Sequence, residues 1–267
     1  MNQIDLNQLR DIQLSILDEI VYFCTKNNIK YYLTGGTLLG SIRHQGFIPW
    51  DDDIDIALFR NDYEWLLKYF KSESGKIKLL SYKNYKKYRY LFAKAIHTDT
   101  VLIEENNSEL KIGVYIDIFP IDFLLDNKEK CVKFLKKIQI FQAILALKYL
   151  KYSHQRSIPK NIIVICCNII LLIIPDLFLL NIIDFLNRRY IRNNNSKYIA
   201  NLCGAWGERE ITLRDYYKDS IVVKFEGRQY FAPIGYDGFL TDLYKDYMRL
   251  PPVDKQISHH SFKAYWK

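Results

Sequence analysis

The sequence has few cysteines, no internal repeat and no apolar run long enough to cross a bilayer. Its five cysteines are odd in number and follow no disulfide or zinc-ligand spacing, which predicts reduced thiols in a cytosolic protein. The first six residues lack the charged-then-apolar pattern of a signal sequence, so export is not expected. The apolar run Ile162–Ile174 is shorter than the ~20 residues that a spanning helix needs. These absences argue against a disulfide-rich secreted domain and against a single-span membrane protein.

The composition is that of a folded protein with a large core. The chain has 267 residues, of which 49% are hydrophobic and 25% are charged, so a disordered chain is excluded. The net charge of +8 is compatible with nucleic acid, an anionic membrane or an anionic ligand as partner. Basic and aromatic residues do not alternate in a pattern typical of groove recognition, so we expect no nucleic-acid partner.

A glycine turn follows a predicted strand near the N-terminus. The strand Lys30–Thr34 ends at Gly35 and Gly36, and a helix is predicted over Thr37–His44. Without side chains, the two glycines allow backbone N–H groups to approach an anion, and a helix N-terminus favours negative charge. The turn therefore predicts a phosphate site, although glycines can also do no more than shape a loop.

Acidic residues follow this turn. We expect Asp53 and Asp55 to lie in the next strand, where residues two apart share a face, so that both carboxylates point the same way. Such a pair repels itself unless a cation lies between the two groups, and hard oxygen ligands suit Mg²⁺ or Mn²⁺. The alternative is a solvated turn. Asp51 is a further candidate for the site, and Asp52 is expected to be solvated only.

A third carboxylate is predicted in a later strand. Asp117 lies between Ile116 and Ile118 in an apolar, β-branched segment, which favours a buried strand with one acid directed to the metal. The alternative is a core aspartate that caps a turn near Pro120. Asp122 is expected to cap the next helix.

Three further residues are candidates for contact with phosphate. Lys94 lies in the apolar stretch 91–96, where a lysine is costly to bury unless it meets a phosphate or a carboxylate. An edge lysine that reaches solvent is the alternative. Arg43 and Thr37 follow the glycine turn and could donate to phosphate oxygens. Asp51 or Asp117 could accept the proton of an attacking hydroxyl, and the sequence does not separate those two roles.

The middle of the chain is basic and apolar. The pattern predicts an amphipathic helix over Asn127–Leu150, followed by apolar runs on both sides of Pro175. These runs favour either a buried helix pair or shallow insertion into a membrane. The cations that follow could contact lipid headgroups or form a solvated run: Arg188, Arg189, Arg192 and Lys197.

These residues resemble a known family. The glycine pair, the run Arg43–Asp55 (RHQGFIPWDDDID) and Asp117 are similar to the LicD family, which includes bacterial phosphocholine transferases and shares its motif with animal fukutin-related proteins. The C-terminal segments Phe225–Gly227, 232–252 and His259–His260 add to the resemblance, which covers roughly residues 5–125 and 197–267. Lys245 stands where family members usually carry glycine, which affects a local turn.

The resemblance implies a fold and a domain organisation. It implies an α+β nucleotidyltransferase-like fold with a mixed sheet, packed helices and an inserted apolar helical region. The expected divisions are a catalytic core over residues 1–126, a helical and membrane-associated insertion over 127–196, and a C-terminal part over 197–267 that completes the catalytic domain.

The resemblance also implies a reaction. With Mg²⁺ or Mn²⁺ bound by Asp53, Asp55 and Asp117, phosphocholine would pass from CDP-choline to a sugar hydroxyl of a lipid-linked glycan, of the teichoic acid or lipopolysaccharide type, and CMP would leave. Trp206 and Tyr115 are candidate walls for the choline cation. The expected location is cytoplasmic, at the inner face of the plasma membrane. The alternatives are ribitol or glycerol phosphate as the group transferred, nucleotidyl transfer to a small molecule, and a non-enzymatic membrane scaffold.

Overall fold

A computed structural model describes residues 2–104, 112–153, 156–257 and 262–267. The helices of this part of the chain are α1 (Leu6–Lys26), α2 (Gly35–His44), α3 (Arg60–Tyr69), α4 (Lys128–Leu147), α5 (Ile158–Leu171), α6 (Asp176–Asn187) and α7 (Tyr236–Tyr244). Its strands are β1 (Gln3–Ile4), β2 (Tyr32–Leu33), β3 (Asp55–Phe59), β4 (Ile77–Leu80), β5 (Ala93–His97), β6 (Thr100–Glu104), β7 (Tyr115–Phe123), β8 (Tyr198–Ala200), β9 (Ile211–Leu213), β10 (Ser220–Phe225), β11 (Arg228–Pro233) and β12 (Phe262–Trp266).

The main sheet is mixed, which confirms the α+β class. Its strand order is β2-β3-β7-β5-β4. In addition, β8 pairs with the end of β7 on one side and with β9 on the other. β3 and β7 run parallel, whereas the other neighbours are antiparallel. β7 is the central strand, and its apolar residues are buried on both faces because helices and loops cover the sheet.

The apolar periodicity of residues 9–23 predicts a helix over Leu6–Lys26, and α1 has these bounds and packs against this sheet. Asp5 accepts a hydrogen bond from the Gln8 N–H, and the Gln8 side chain accepts one from the Asp5 N–H, which makes a capping box. The apolar stripe at Ile12, Ile16 and Ile20 is buried in the main core.

Two smaller sheets complete the fold. β12 lies between β1 and β6 and so joins the two ends of the chain. The sequence predicts a hairpin in which Val222–Phe225 and Gln229–Ala232 flank a turn at residues 226–228. The structure confirms it as β10 and β11, with Glu226 and Gly227 in left-handed conformations at the turn. The Ser41 hydroxyl donates to the Lys224 carbonyl at 2.8 Å, which fixes this hairpin against α2.

A buried ion pair connects the helical region to the main sheet. Arg60 donates two hydrogen bonds to Asp122, at 2.7 and 2.6 Å, and its Nη1 lies 3.6 Å from Asp184 of α6. The prediction that Asp122 caps a helix is therefore wrong, because Asp122 lies inside β7 and Asn127 caps α4. Arg188, a predicted headgroup contact, pairs with Asp184 instead, at 2.8 Å.

Helices α4 and α6 contribute to a second apolar cluster beside the sheet. Leu135 and Ile138 of α4 pack there with Leu180 and Ile183 of α6. No single helix in the described residues is long and apolar enough to cross a membrane. The pair α5 and α6, bent by 89°, has the length and apolar composition of a span only when the two helices are taken together.

Candidate active site

The sheet register places three charged side chains in one row. Asp55, the first residue of β3, lies opposite Asp117 of β7, and Lys94 of β5 lies opposite Asp117 on its other side. Cross-strand neighbours share a face of the sheet, so the three side chains meet. The Lys94 ammonium lies 2.6 Å from the Asp117 carboxylate, and both residues are buried. The Asp117 carboxylate therefore accounts for the burial of Lys94, which the sequence predicts to be costly unless the lysine meets a phosphate or a carboxylate.

A loop ahead of β3 adds more acids to this row. Asp51, Asp52 and Asp53 each offer a carboxylate oxygen, and these oxygens lie within 4.8 Å of one another. Oxygen donors so arranged can hold a metal ion. β3 begins only at Asp55, so Asp53 precedes the strand in which it was expected. Asp52 was expected to be solvated, and this prediction is wrong because Asp52 is 9% exposed and belongs to the cluster.

Helix α1 holds this loop in place. Arg10 donates to the carbonyl oxygens of Ile48, Pro49 and Asp51, the last at 2.7 Å. Gln13, which is buried, donates to the Asp52 carbonyl at 2.8 Å. Neither residue is predicted from the sequence, although a glutamine on the apolar face of a helix indicates that a polar partner lies opposite.

Burial and neighbouring carboxylates raise the pKa values of Asp51 and Asp55. Burial, with the neighbouring Asp53 charge, raises the pKa of Asp51 to about 8. Burial is also the main cause that raises the pKa of Asp55, followed by the charges of Asp53, Asp117 and Asp51, whereas Lys94 acts in the opposite direction. The cluster has five carboxylates and only one lysine among the described residues. A divalent cation fits this cluster by charge and by ligand chemistry.

The N-terminus of α2 approaches the same carboxylates. Gly35 has a φ of +55°, and a Cβ placed there would lie 2.8 Å from Asp55 Oδ2. A Cβ at Gly36 would lie 2.6 Å from Asp51 Oδ2. The Thr37 hydroxyl accepts a hydrogen bond from the Asp55 N–H at 2.8 Å. The glycine turn therefore brings the backbone of a helix N-terminus against the acid cluster, where the partial positive charge of the helix favours anions.

Tyr115 and Trp206, the candidate walls for the choline cation, have different neighbours. The Tyr115 ring packs under Lys94, whose ammonium is 3.4 Å from the ring centroid. Trp206 is 45% exposed and meets Tyr244 edge to face, with 5.1 Å between ring centroids. Burial raises the pKa of Tyr244, and the charges of Asp55 and Asp51 contribute to this rise, so Tyr244 lies near the acids.

Arg43 binds the backbone of the segment after α7. Its guanidinium donates to the Tyr247 carbonyl at 2.7 Å and to the Arg249 carbonyl at 3.4 Å. His259 and His260 lie outside the described residues.

Comparison with known proteins identifies a family domain in the chain. Residues 28–159 match the family model described as "LicD/FKTN/FKRP, nucleotidyltransferase domain". The chain is 28% identical over 278 residues to the lipopolysaccharide cholinephosphotransferase LicD of Haemophilus influenzae, and the alignment covers 99% of each chain. The chain carries a LicD-family domain. The matched domain contains the glycine turn, the Asp51–Asp55 segment, Lys94 and Asp117.

A second named relative of this chain is more distant. The human ribitol 5-phosphate transferase FKRP is 26% identical over 92 residues, which is 34% of this chain and 17% of FKRP. The names of both relatives denote transfer of a phosphorylated alcohol. The chain is therefore an enzyme of the phosphotransferase class.

Proposed function

We propose that the chain transfers phosphocholine from CDP-choline to a sugar hydroxyl of a lipid-linked, cell-surface glycan precursor. The observation that carries this proposal is the alignment with a cholinephosphotransferase over 99% of both chains. The reaction breaks the bond between the choline-bearing phosphorus and the bridging oxygen of the pyrophosphate. A bond from that phosphorus to the sugar oxygen replaces it, and CMP leaves.

The acid cluster supports metal dependence. Asp53, Asp55 and Asp117 are the proposed ligands, and Asp51 and Asp52 lie close enough to Asp53 to share the task. A bound Mg²⁺ or Mn²⁺ supplies neutralising charge for the phosphate that leaves. Lys94 holds Asp117 in place and adds the positive charge that the protein itself provides.

The protein groups around the cluster have separate proposed roles. The first N–H groups of α2, at Gly35, Gly36 and Thr37, lie beside the carboxylates and are directed to a phosphate oxygen. The sugar hydroxyl passes its proton to a carboxylate oxygen of Asp51 or Asp117 as the new bond forms. The raised pKa of Asp51 is consistent with a group that holds a proton after transfer.

Recognition of choline needs an accessible aromatic face. The Tyr115 face is covered by Lys94 at 3.4 Å from the ring centroid, whereas Trp206 is partly exposed, has its neighbouring cation Arg209 farther away at 5.8 Å, and contacts Tyr244. We assign the choline contact to Trp206 on this ground, with Tyr244 as its support. Trp206→Leu is then expected to raise KM for CDP-choline more than KM for CDP-ribitol.

The test is product formation from defined donors. The protein is incubated with Mg²⁺, a glycan acceptor and CDP-choline, CDP-ribitol or CDP-glycerol, and CMP is measured. Fastest CMP release from CDP-choline is the expected result, and Asp53→Asn should abolish it while the fold is retained. Fastest release from CDP-ribitol or CDP-glycerol would replace the donor. Pyrophosphate from a nucleoside triphosphate, without CMP from any donor, would show nucleotidyl transfer and refute the proposal.

A further inference from the structure

Helices α5 and α6 direct an apolar face away from the protein. Their inner sides are buried through Val164, Leu180 and Ile183. The outer sides, with the turn between the two helices, carry large apolar residues that are 54–84% exposed: Ile158, Ile162, Ile163, Ile169, Ile170, Leu172, Ile173, Leu177, Phe178 and Phe185. We call these ten residues the apolar face. A contiguous exposed surface of this kind marks a site of interaction with a protein or a membrane.

The segment that contains α5 carries charge of one sign. Between Glu129 and Asp176 the sequence has no acidic residue. The same stretch contains the cations Lys130, Lys133, Lys136, Lys137, Lys148, Lys151, Arg156 and Lys160. Lys151 and Lys160 are exposed, and Tyr149 and Tyr152 beside them are 40% and 55% exposed. Cations and tyrosines at the border of an apolar helix face are typical of helices that lie in a membrane interface.

The attachment of α6 to the sheet favours a surface position for these helices. Asp184 on its inner side faces the buried Arg60 and pairs with Arg188. Asp176 at its first turn accepts from Lys148, the residue directly after α4, at 2.5 Å. A spanning arrangement would have to break these pairs and bury the ions in lipid, which is costly. The helices can instead lie flat, with the ion pairs on the protein side and the apolar face in the acyl region.

We propose that the apolar face docks the enzyme on an anionic lipid bilayer. The apolar area provides binding energy, and the flanking cations select anionic headgroups. The same helical region borders the candidate site, because Lys136 of α4 lies 3.2 Å from Glu208, two residues after Trp206. Docking therefore keeps the site near the membrane surface, where a lipid-linked acceptor is held. This last step rests on the proposed function, whereas the docking itself does not.

The first test is binding of the full chain to vesicles. Wild-type protein is expected to sediment with phosphatidylglycerol-containing vesicles, more weakly at high salt, and to bind pure phosphatidylcholine vesicles less. The double variant Ile170→Glu/Ile173→Glu places charges on the apolar face and should lower binding by about tenfold or more. The matched control Val222→Glu/Val253→Glu changes residues that are 55% and 82% exposed elsewhere, and should bind as the wild type does.

Two further readouts separate the possible results. CMP release with a soluble sugar acceptor should be the same in the Ile170→Glu/Ile173→Glu variant and the wild type, so loss of docking and loss of chemistry are distinguishable. Equal vesicle binding by both double variants, or none by the wild type, would overturn docking. A wild-type dimer that the Ile170→Glu/Ile173→Glu substitutions convert to a monomer, without vesicle binding, would assign the apolar face to a second copy of the chain.

Discussion

Substitution of Gly36 by alanine should separate activity from stability. Gly36 lies in the first turn of α2 with a backbone outside the left-handed region, so alanine is allowed there. Alanine favours a helix over glycine by about 0.5–1 kcal/mol. For a chain of this length that gain corresponds to a rise in Tm of about 1–4 °C. Stability alone therefore predicts a variant that folds at least as well as the wild type.

The added methyl group acts on Asp51. A Cβ at position 36 would lie 2.6 Å from Asp51 Oδ2, whereas ordinary contact begins at 3.4 Å, so the carboxylate must move by about 0.8 Å. A displacement of about 1 Å in a reacting constellation can cost about 100-fold in rate. That loss equals about 2.7 kcal/mol in the activation free energy. Gly36→Ala should therefore lower kcat by about 100-fold.

The assay compares CMP release and thermal unfolding in two glycine variants. Gly75→Ala is the matched control, because Gly75 has a φ of +71° and no atom lies within 4 Å of an added Cβ. The control should lose about 1–2 kcal/mol of stability through backbone strain and keep its activity. A Gly36→Ala enzyme that is folded and works within about threefold of the wild-type rate would refute the assigned role of Asp51.

The remaining predictions concern pH, a buried ion pair and the metal. Burial raises the pKa of Glu210 to about 7, so its carboxyl group contributes stability that is complete below about pH 4.5 and is lost as the pH rises to about 7. Urea unfolding between about pH 4.5 and 8 should therefore give Glu210→Gln a free energy of unfolding that exceeds the wild-type value by up to about 3 kcal/mol. The control Glu208→Gln, at a half-exposed residue, should show no such increase. Arg60→Met leaves the Asp122 carboxylate buried without its partner and should cost about 3–5 kcal/mol, whereas Arg60→Met/Asp122→Leu should recover most of that loss in the same assay. Mg²⁺ should raise the Tm of the wild type and not that of Asp55→Asn, and equal shifts in the two proteins would count against a metal at this cluster.

The sequence predicts the elements whose signals are local. Helix α1 has its capping residues, its apolar stripe and its final lysine within the helix or directly before it, so its bounds Leu6–Lys26 follow from periodicity. The alternation around Asp55 and Asp117 predicts two strands in the same way, and their pairing places the acids side by side.

The errors concern residues whose partners are distant in the chain. Asp52 looks like a solvated turn residue, but Gln13 of α1, 39 positions earlier, fixes its backbone inside the protein. Asp122 has a capping position by pattern, yet Arg60, 62 positions away, makes it half of a buried ion pair. The contact of Trp206 with Tyr244 also depends on tertiary packing, which periodicity does not report.

The fate of the choline label tests the central claim most directly. CDP-choline labelled in its choline methyl groups is incubated with the enzyme, Mg²⁺ and a lipid-linked glycan acceptor, and CMP and glycan-bound label are counted. We expect one CMP for each labelled phosphocholine attached to the glycan, and neither product with Asp53→Asn. Cytidine attached to the acceptor, with labelled phosphocholine released into solution, would contradict phosphocholine transfer.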